Sequence, residues 1–193
     1  MYNVTPLVRS LIIINVAVGL LQYFLGITHF LELWPLNTPY FEPYQFLSYM
    51  FAHGSFSHIF FNLMTLASIG PTLETYWGDK KFLFFYMAAG IGAGVIYGLV
   101  NYFFYPGLLH PMLGASGAIY GVLMAFGMVF PELELSLLFL PVSIKAKYLV
   151  FIVGGITYFF DTSGQVAHFA HLGGAIVGFI IVSYWKSQDR GRY

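Results

Sequence analysis

The chain has 193 residues, of which 59% are hydrophobic and only 8% are charged, and its formal net charge is zero. Soluble domains carry about 25% charged residues, so the composition excludes an ordinary water-soluble globule and indicates an integral membrane protein. The zero net charge gives no argument for binding nucleic acid. Because the sequence contains no cysteine, it also excludes disulfides, thiolate metal sites and a cysteine nucleophile.

Long apolar runs predict membrane-spanning helices, since one span needs about 20 mostly apolar residues. We therefore predict an all-α integral membrane bundle of six transmembrane helices, which forms a single domain over residues 1–193. The first helix is expected to be retained, because its apolar run is long for a signal peptide and no small-residue cleavage motif follows it. The predicted spans are 11–30, 57–77, 82–105, 112–130, 143–160 and 165–185.

Basic residues fall at one set of helix ends only. The three loops on the opposite side carry none, so the positive-inside rule predicts that both termini are cytoplasmic. Two of the basic residues intrude at the start of the fifth span, where they can snorkel from a helix end. The eight are Arg9, Lys80, Lys81, Lys145, Lys147, Lys186, Arg190 and Arg192.

The predicted outer loop between the first two spans is long and rich in aromatic residues and proline. Trp34, Tyr40 and Tyr44 lie in it, and its only charges are Glu32 and Glu42. Aromatic side chains favour the boundary between lipid and water, and a loop of this length usually has a function. We expect the loop to lie at the membrane interface.

Polar side chains recur at one depth, in the outer halves of three predicted spans. Span 2 carries His58 and Asn62 four residues apart, span 4 carries Ser116 and Tyr120 at the same spacing, and span 6 carries His168 and His171. Each of these residues alone can serve packing or helix bonding. Their convergence favours a site, because polar groups in a bilayer face the bundle interior or a water-filled cavity.

Glycine spacing indicates which of these helices touch. Gly117 and Gly121 are four residues apart on span 4, and Gly174 and Gly178 are four apart on span 6. Small residues at this interval let helix backbones approach closely. If the two faces pack together, His171 is carried toward the serine of span 4.

Three motifs now resemble one family. They are His53–Asn62, with His58 inside it, Gly114–Gly117 followed by Tyr120, and Ala170–Gly178. The chain resembles the rhomboid intramembrane serine proteases over essentially its whole length, as a minimal six-helix core with an interfacial outer loop. Gly70, Glu74 and Gly78 also resemble a family pattern at the end of the second helix.

The resemblance implies a role for each site residue. Ser116 is expected to be the nucleophile and His171 its general base, with no third acidic member, since Asp161 lies ten residues before the histidine. Tyr120 is expected to pack on the His171 ring. The Ser116 N–H, His58 and Asn62 are expected to donate to the oxyanion.

The implied function is endopeptidase cleavage of transmembrane segments in membrane-protein substrates near the outer face, without cofactor or metal. The implied partners are those substrates and the lipid bilayer, with no nucleic acid, and the sequence leaves the oligomeric state open. A segment over residues 159–165 is expected to act as a movable cap. The minimal core and the lack of a transit peptide favour a bacterial inner membrane.

Two other functions remain open at this stage. One is a catalytically inactive rhomboid-like module that binds membrane proteins, and the other is a haem or metal protein that uses His53, His58, His168 and His171. The role of His168 is not settled by the motifs. One departure from the family is visible in the outer loop, where Tyr44-Gln45 stands in place of a frequent Trp-Arg pair.

Overall fold

The computed structural model describes residues 4–136, 143–160 and 165–190. Over these ranges the chain forms eight α-helices, two 3₁₀ turns and one two-stranded hairpin. The helices are α1 (Pro6–Leu25), α2 (Thr28–Leu31), α3 (Gln45–Ser48), α4 (Phe56–Trp77), α5 (Asp79–Phe104), α6 (Ser116–Val129), α7 (Leu149–Phe160) and α8 (Gln165–Arg190). The strands are β1 (Glu134–Ser136) and β2 (Ser143–Lys145), and the 3₁₀ turns are Tyr49–Phe51 and Ala146–Tyr148.

The start of α1 is held by the end of α4. Glu74 is buried, and its carboxylate accepts hydrogen bonds from Val8 N at 2.8 Å, Leu7 N at 3.1 Å and Thr5 Oγ1 at 2.5 Å. The first N–H groups of a helix have no intrahelical acceptor, and a carboxylate suits the positive end of the helix dipole. The Glu74 carboxylate therefore caps the N-terminus of α1 and joins α1 to α4.

Helix α6 lies at the centre of the bundle, where it contacts α4, α5, α7 and α8. Ten of its 14 residues are buried. Ideal Cβ atoms on Gly117 and Gly121 would lie 2.6 Å and 2.5 Å from the Cβ atoms of Ala93 and Ala89 on α5. Because no real Cβ tolerates such a distance, only glycine allows α5 and α6 to approach this closely.

A second seam joins α6 to α8. An ideal Cβ on Gly174 would overlap the Gly117 carbonyl oxygen, and one on Gly178 would lie 2.8 Å from the Gly121 carbonyl oxygen. The two helix backbones are in direct contact there. Small residues are what permit such contact between membrane helices.

Three described helices are both long enough and apolar enough to cross a membrane. They are α1, α5 and the part of α8 from His168 to Gln188. Helices α6 and α7 are apolar but have only 14 and 12 residues, and at 1.5 Å per residue α6 is about 21 Å long. Helix α4 has 22 residues but carries polar side chains along its length, including Asn62 and Glu74.

A short β-hairpin corrects the all-α prediction. Strands β1 and β2 pair antiparallel, with Glu134 opposite Lys145 and Ser136 opposite Ser143. Three-residue strands are too short for an alternating pattern to be recognised. The apolar residues around them were read as parts of the neighbouring helices. The hairpin stands between α6 and α7.

Several helix boundaries differ from the predicted spans. Helix α6 begins at Ser116 rather than at residue 112, because Met112 pairs with Leu33 of the outer loop through backbone bonds of 2.8 and 2.9 Å. Helix α7 begins at Leu149 rather than at 143, since β2 and a 3₁₀ turn occupy the preceding residues. Helix α1 ends at Leu25 rather than at residue 30, because Gly26 follows it with a left-handed φ of 64°.

Candidate active site

The turn that leads into α6 depends on glycine at position 114. Gly114 has a φ of +124°, and an ideal Cβ there would lie 2.7 Å from the His58 ring and 3.7 Å from Ser116 Oγ. Its N–H donates to the Tyr49 carbonyl at 2.9 Å. A side chain at this position would be strained and would displace the histidine. The turn thus presents Ser116 as the first residue of α6, half-buried beside His58.

The central contact of the site joins two helices. Ser116 Oγ lies 2.8 Å from His171 Nε2. The α6–α8 seam holds this distance, since Gly174 follows His171 by one turn and meets the backbone at Gly117. A hydroxyl within hydrogen-bond reach of an imidazole is the arrangement that activates a serine for nucleophilic attack.

A tyrosine orients the histidine ring. Tyr120 stacks on His171 with ring centroids 4.5 Å apart and an interplanar angle of 11°. The Tyr120 hydroxyl donates to Thr157 Oγ1 at 2.7 Å, and Thr157 donates in turn to the Val153 carbonyl at 2.8 Å. Thr157 was not among the predicted site residues, since its only signal in the sequence is a hydroxyl within the apolar run of α7.

Two further predicted residues, His58 and Asn62, lie one helical turn apart on α4. His58 packs on Gly114, and Asn62 follows it by one turn on the same helix face. Asn62 is buried, and its Nδ2 has no hydrogen-bond partner within the described part of the chain. A buried donor without an acceptor costs free energy, which an oxyanion at this position would recover.

The start of α6 adds main-chain donors to the site. The first bond of the helical ladder runs from Ile119 N to the Ala115 carbonyl at 3.0 Å, so the N–H groups before Ile119 have no acceptor within the helix, and the helix dipole makes this end positive. The start of a helix therefore favours a negatively charged group.

Four of the six histidines form two pairs. The rings of His53 and His58 are 5.0 Å apart, and those of His168 and His171 are 6.3 Å apart. Across the described ranges no cluster of three or more His, Cys, Asp or Glu residues is arranged to hold a metal ion. Asp161 and most of the expected cap at 159–165 lie outside the described residues.

His168 lies beside the serine–histidine contact. Its ring is 5.2 Å from that of Tyr158 on α7. Both rings line a cavity of about 550 Å³ between α6, α7 and α8, together with Tyr120 and His171. His168 thus borders a space that reaches His171.

The outer loop is braced at the position where it departs from the family pattern. Gln45 is buried; its Oε1 accepts from Trp34 N at 3.2 Å and from Glu42 N at 3.1 Å, and its Nε2 donates to the Tyr40 carbonyl at 2.9 Å. Tyr44 beside it is exposed. In this chain a neutral amide therefore connects three points of the loop.

These features define a class of protein: a helical membrane protein with a serine–histidine pair between two closely packed helices. The rhomboid domain family matches residues 40–187, and the chain belongs to the rhomboid family. It is therefore a multi-pass helical membrane protein.

Several curated proteins are similar to the chain. Human presenilin-associated rhomboid-like protein, mitochondrial, is 35% identical over 155 residues, which is 72% of this chain and 38% of that protein. Rhomboid protein 1, mitochondrial, of Saccharomyces cerevisiae is 34% identical over 135 residues, 66% of this chain and 38% of that protein. Rhomboid protease GluP of Bacillus subtilis is 32% identical over 138 residues, 72% and 25% respectively. The matched region thus spans well under half the length of these relatives. Two of them are mitochondrial proteins and one is bacterial.

Proposed function

We propose that this chain is an intramembrane serine endopeptidase that cleaves transmembrane segments of membrane-protein substrates through a Ser116–His171 dyad. The observation that carries the proposal is the 2.8 Å distance between Ser116 Oγ and His171 Nε2. It is supported by membership of a family in which the Bacillus relative is named a protease. An inactive binding module needs no such contact.

The first half of the reaction forms an acyl-enzyme. Ser116 Oγ attacks the carbonyl carbon of the scissile peptide bond while His171 Nε2 accepts the hydroxyl proton. The carbonyl oxygen becomes an oxyanion, which accepts hydrogen bonds from the Ser116 N–H, His58 and Asn62. The carbon–nitrogen bond then breaks, and His171 gives its proton to the leaving amine.

The second half consumes one water. His171 accepts a proton from that water as its oxygen attacks the ester carbon, and the second tetrahedral intermediate uses the same donors. Ser116 leaves with the proton from His171, and the product carboxylate departs. The stacked Tyr120 ring, bonded to Thr157, keeps the imidazole facing Ser116 throughout.

The substrate must expose a carbonyl that a helix would otherwise hide. Backbone carbonyls of an intact α-helix accept bonds within the helix, so the segment has to unwind where it meets Ser116. Glycine and other helix-weakening residues near the cut are expected to favour cleavage. This requirement defines the substrate class as membrane segments with weak helical stretches.

The proposed topology is six spans in one domain over residues 1–193, with both termini cytoplasmic and the dyad toward the outer face, in a bacterial inner membrane. Contacts made by the basic residues support the proposal that the helix ends carrying them lie on the same, inner side of the membrane. Lys186 Nζ donates to the Met128 carbonyl at 2.6 Å, Lys81 Nζ lies 4.2 Å from the centre of the Trp185 ring, and Lys145 and Lys147 both bind Glu132. Ser116 lies at the opposite end of α6 from Met128.

The test is cleavage of a transmembrane reporter in liposomes. Wild type is expected to cut it, whereas Ser116→Ala and His171→Ala are expected to lose at least about 10⁴-fold in rate, as triad-type enzymes do. Ser68→Ala is the matched control, because Ser68 is exposed on α4 and bonds only its own helix at the Met64 carbonyl. Full activity in Ser116→Ala would overturn the proposal, and binding without cleavage by wild type would favour the inactive module.

A further inference from the structure

A glutamine on the first helix makes contacts that the proposed reaction does not use. Gln22 lies near the end of α1 and is buried, with 8% of its surface exposed. Its Oε1 accepts from the His53 N–H at 2.9 Å, and its Nε2 donates to the His53 carbonyl at 3.3 Å and to Thr28 Oγ1 at 3.1 Å. One side chain thus binds both backbone groups of one residue on another segment.

That residue lies in a segment without regular structure. His53 belongs to the link between the 3₁₀ turn that ends at Phe51 and the α4 N-cap, Ser55. Buried backbone groups outside helices and strands need other partners, and here Gln22 supplies them. The position of the link therefore depends on Gln22.

The His53 side chain is also fixed and uncharged. Its Nδ1 lies 3.3 Å from the Phe51 carbonyl, and because a carbonyl only accepts, Nδ1 carries the donated hydrogen. Burial, and secondarily the neighbouring His58, lower the pKa of the His53 ring to about 4. At neutral pH the ring is a neutral, rigid body.

The fixed ring leads directly to the site. His53 meets the His58 ring edge to face, with centroids 5.0 Å apart and an interplanar angle of 71°. His58 also packs on Gly114, two residues before Ser116. Three successive contacts therefore connect α1 to the oxyanion side of the serine.

We infer that Gln22 is a positioning residue, which holds the His53 backbone so that the His53 ring braces His58 beside Ser116. The inference rests on the proposed function, in which His58 donates to the oxyanion. Gln22 touches neither substrate nor reacting atoms. Its loss should displace a donor without removing it, and displacements of about 1 Å can cost up to about 100-fold.

The first experiment compares Gln22→Met with Thr28→Val in the liposome assay. Methionine is close to glutamine in length but cannot bind either His53 group, and we expect kcat to fall about tenfold with KM within about twofold, since only transition-state contacts are lost. Thr28→Val removes the third bond of Gln22 and leaves the His53 pair intact, so its kcat should stay within about twofold of wild type. Equal losses in the two variants, or no loss in Gln22→Met, would overturn the inference.

The second experiment separates positioning from general destabilisation. In a His58→Ala background Gln22→Met should lower kcat no further, because residues that act through one group are not additive. Thr5→Val, which breaks a bond to Glu74 at the remote end of α1, serves as a variant with lowered Tm and an intact site. If Gln22→Met loses the same factor in both backgrounds, it acts through stability alone and the inference fails.

A further variant covers the case in which Gln22→Met does not fold. Gln22→Glu keeps an acceptor for the His53 N–H, so a smaller loss of kcat is expected, which again disappears in the His58→Ala background; a loss that persists there counts against the inference. The Ser116→Ala result keeps the two proposals distinct. Cleavage that needs Ser116 but is indifferent to Gln22 rejects only the positioning role, whereas cleavage without Ser116 rejects the dyad.

Discussion

Glycines occupy two different environments in this protein. On α6 and α8 they have no room for a side chain, since the Cβ positions of Gly174 and Gly178 fall on the backbone of the facing helix. On α7 the opposite holds. An ideal Cβ on Gly154 would approach only the Tyr120 ring, at 3.8 Å, and one on Gly155 would meet nothing within 4 Å.

The difference separates a rigid part of the site from a looser one. Backbone contact leaves α6 and α8 no alternative spacing, so Ser116 and His171 are held at a set distance. Helix α7 reaches the site through Thr157 and Tyr158, and its residues Ile156 and Phe159 are exposed. We expect α7, rather than α6 or α8, to be displaced when a peptide approaches Ser116.

The largest effect is expected from adding a side chain at a position of the α6–α8 contact that accommodates only glycine. Gly174→Val places a branched side chain on the Gly117 backbone, so the helices must separate and the dyad distance must grow. A displacement of about 1 Å costs about 100-fold, and reporter cleavage should fall by at least that much. Gly155→Val is the control and should cleave within about twofold of wild type; equal losses in both variants would remove the distinction between the two environments.

A graded version of the same change lies one turn further along α8. Gly178→Ala adds a single methyl 2.8 Å from the Gly121 carbonyl oxygen, and overpacking of this kind costs about 1–3 kcal/mol. Thermal unfolding in detergent should show a Tm lower by several degrees, at about 2–4 °C per kcal/mol. Activity should fall less than in Gly174→Val, and a greater loss at position 178 would contradict the expected gradient.

The contact between the rigid and the loose part can be tested by removing one hydrogen bond. Tyr120→Phe keeps the ring on His171 but loses the bond to Thr157, which is worth about 0.5–1.5 kcal/mol. We expect kcat to fall by about two- to tenfold. Thr157→Val should give a similar loss, and the double variant should lose no more than either single one; additive losses would show that the hydroxyls act separately.

The smallest effect concerns the connection between the end of α6 and the start of α7. Lys145 and Lys147 each bind Glu132 at 2.6 Å, and these bonds lower the pKa of its carboxyl to about 2. Because the folded-state pKa lies below the ordinary value of 4.5, the stabilisation is present above about pH 4.5 and is lost as the pH falls toward 2. The group is exposed, so the contribution is small.

The contribution of Glu132 can be measured as the difference in Tm between wild type and Glu132→Gln across that pH range. Wild type should be slightly more stable at pH 7, and the difference should vanish near pH 2. A difference that grows in acid would contradict the assignment. Cleavage at pH 7 should be unaffected, since the cluster is at the end of α6 opposite Ser116.

Patterns with a fixed spacing predicted which helices of the candidate site approach each other. The four-residue spacing of Gly117 and Gly121, and of Gly174 and Gly178, predicted a close approach of the two helices, and the structure shows these residues in contact. The pairing of Ser116 with His171 followed from that approach and from the motifs. Such periodicity survives in sequence because both partners repeat along a helix face.

Contacts between single residues produce no periodic spacing in the sequence. Thr157 holds Tyr120 from an apolar helix, and Gln22 holds His53 across 31 residues of chain. Neither residue has a periodic partner, so no spacing predicts the contact. The β-hairpin was missed for a related reason, because three-residue strands carry too little alternation to compete with the apolar runs around them.

The most direct test of the dyad is covalent labelling of the serine. Purified protein in detergent is treated with a fluorophosphonate, and the labelled peptide is identified by mass spectrometry. The account predicts one adduct on Ser116 in wild type and a loss of labelling in His171→Ala, because the hydroxyl then lacks its base. Labelling of another serine, or undiminished labelling of Ser116 in His171→Ala, would contradict it.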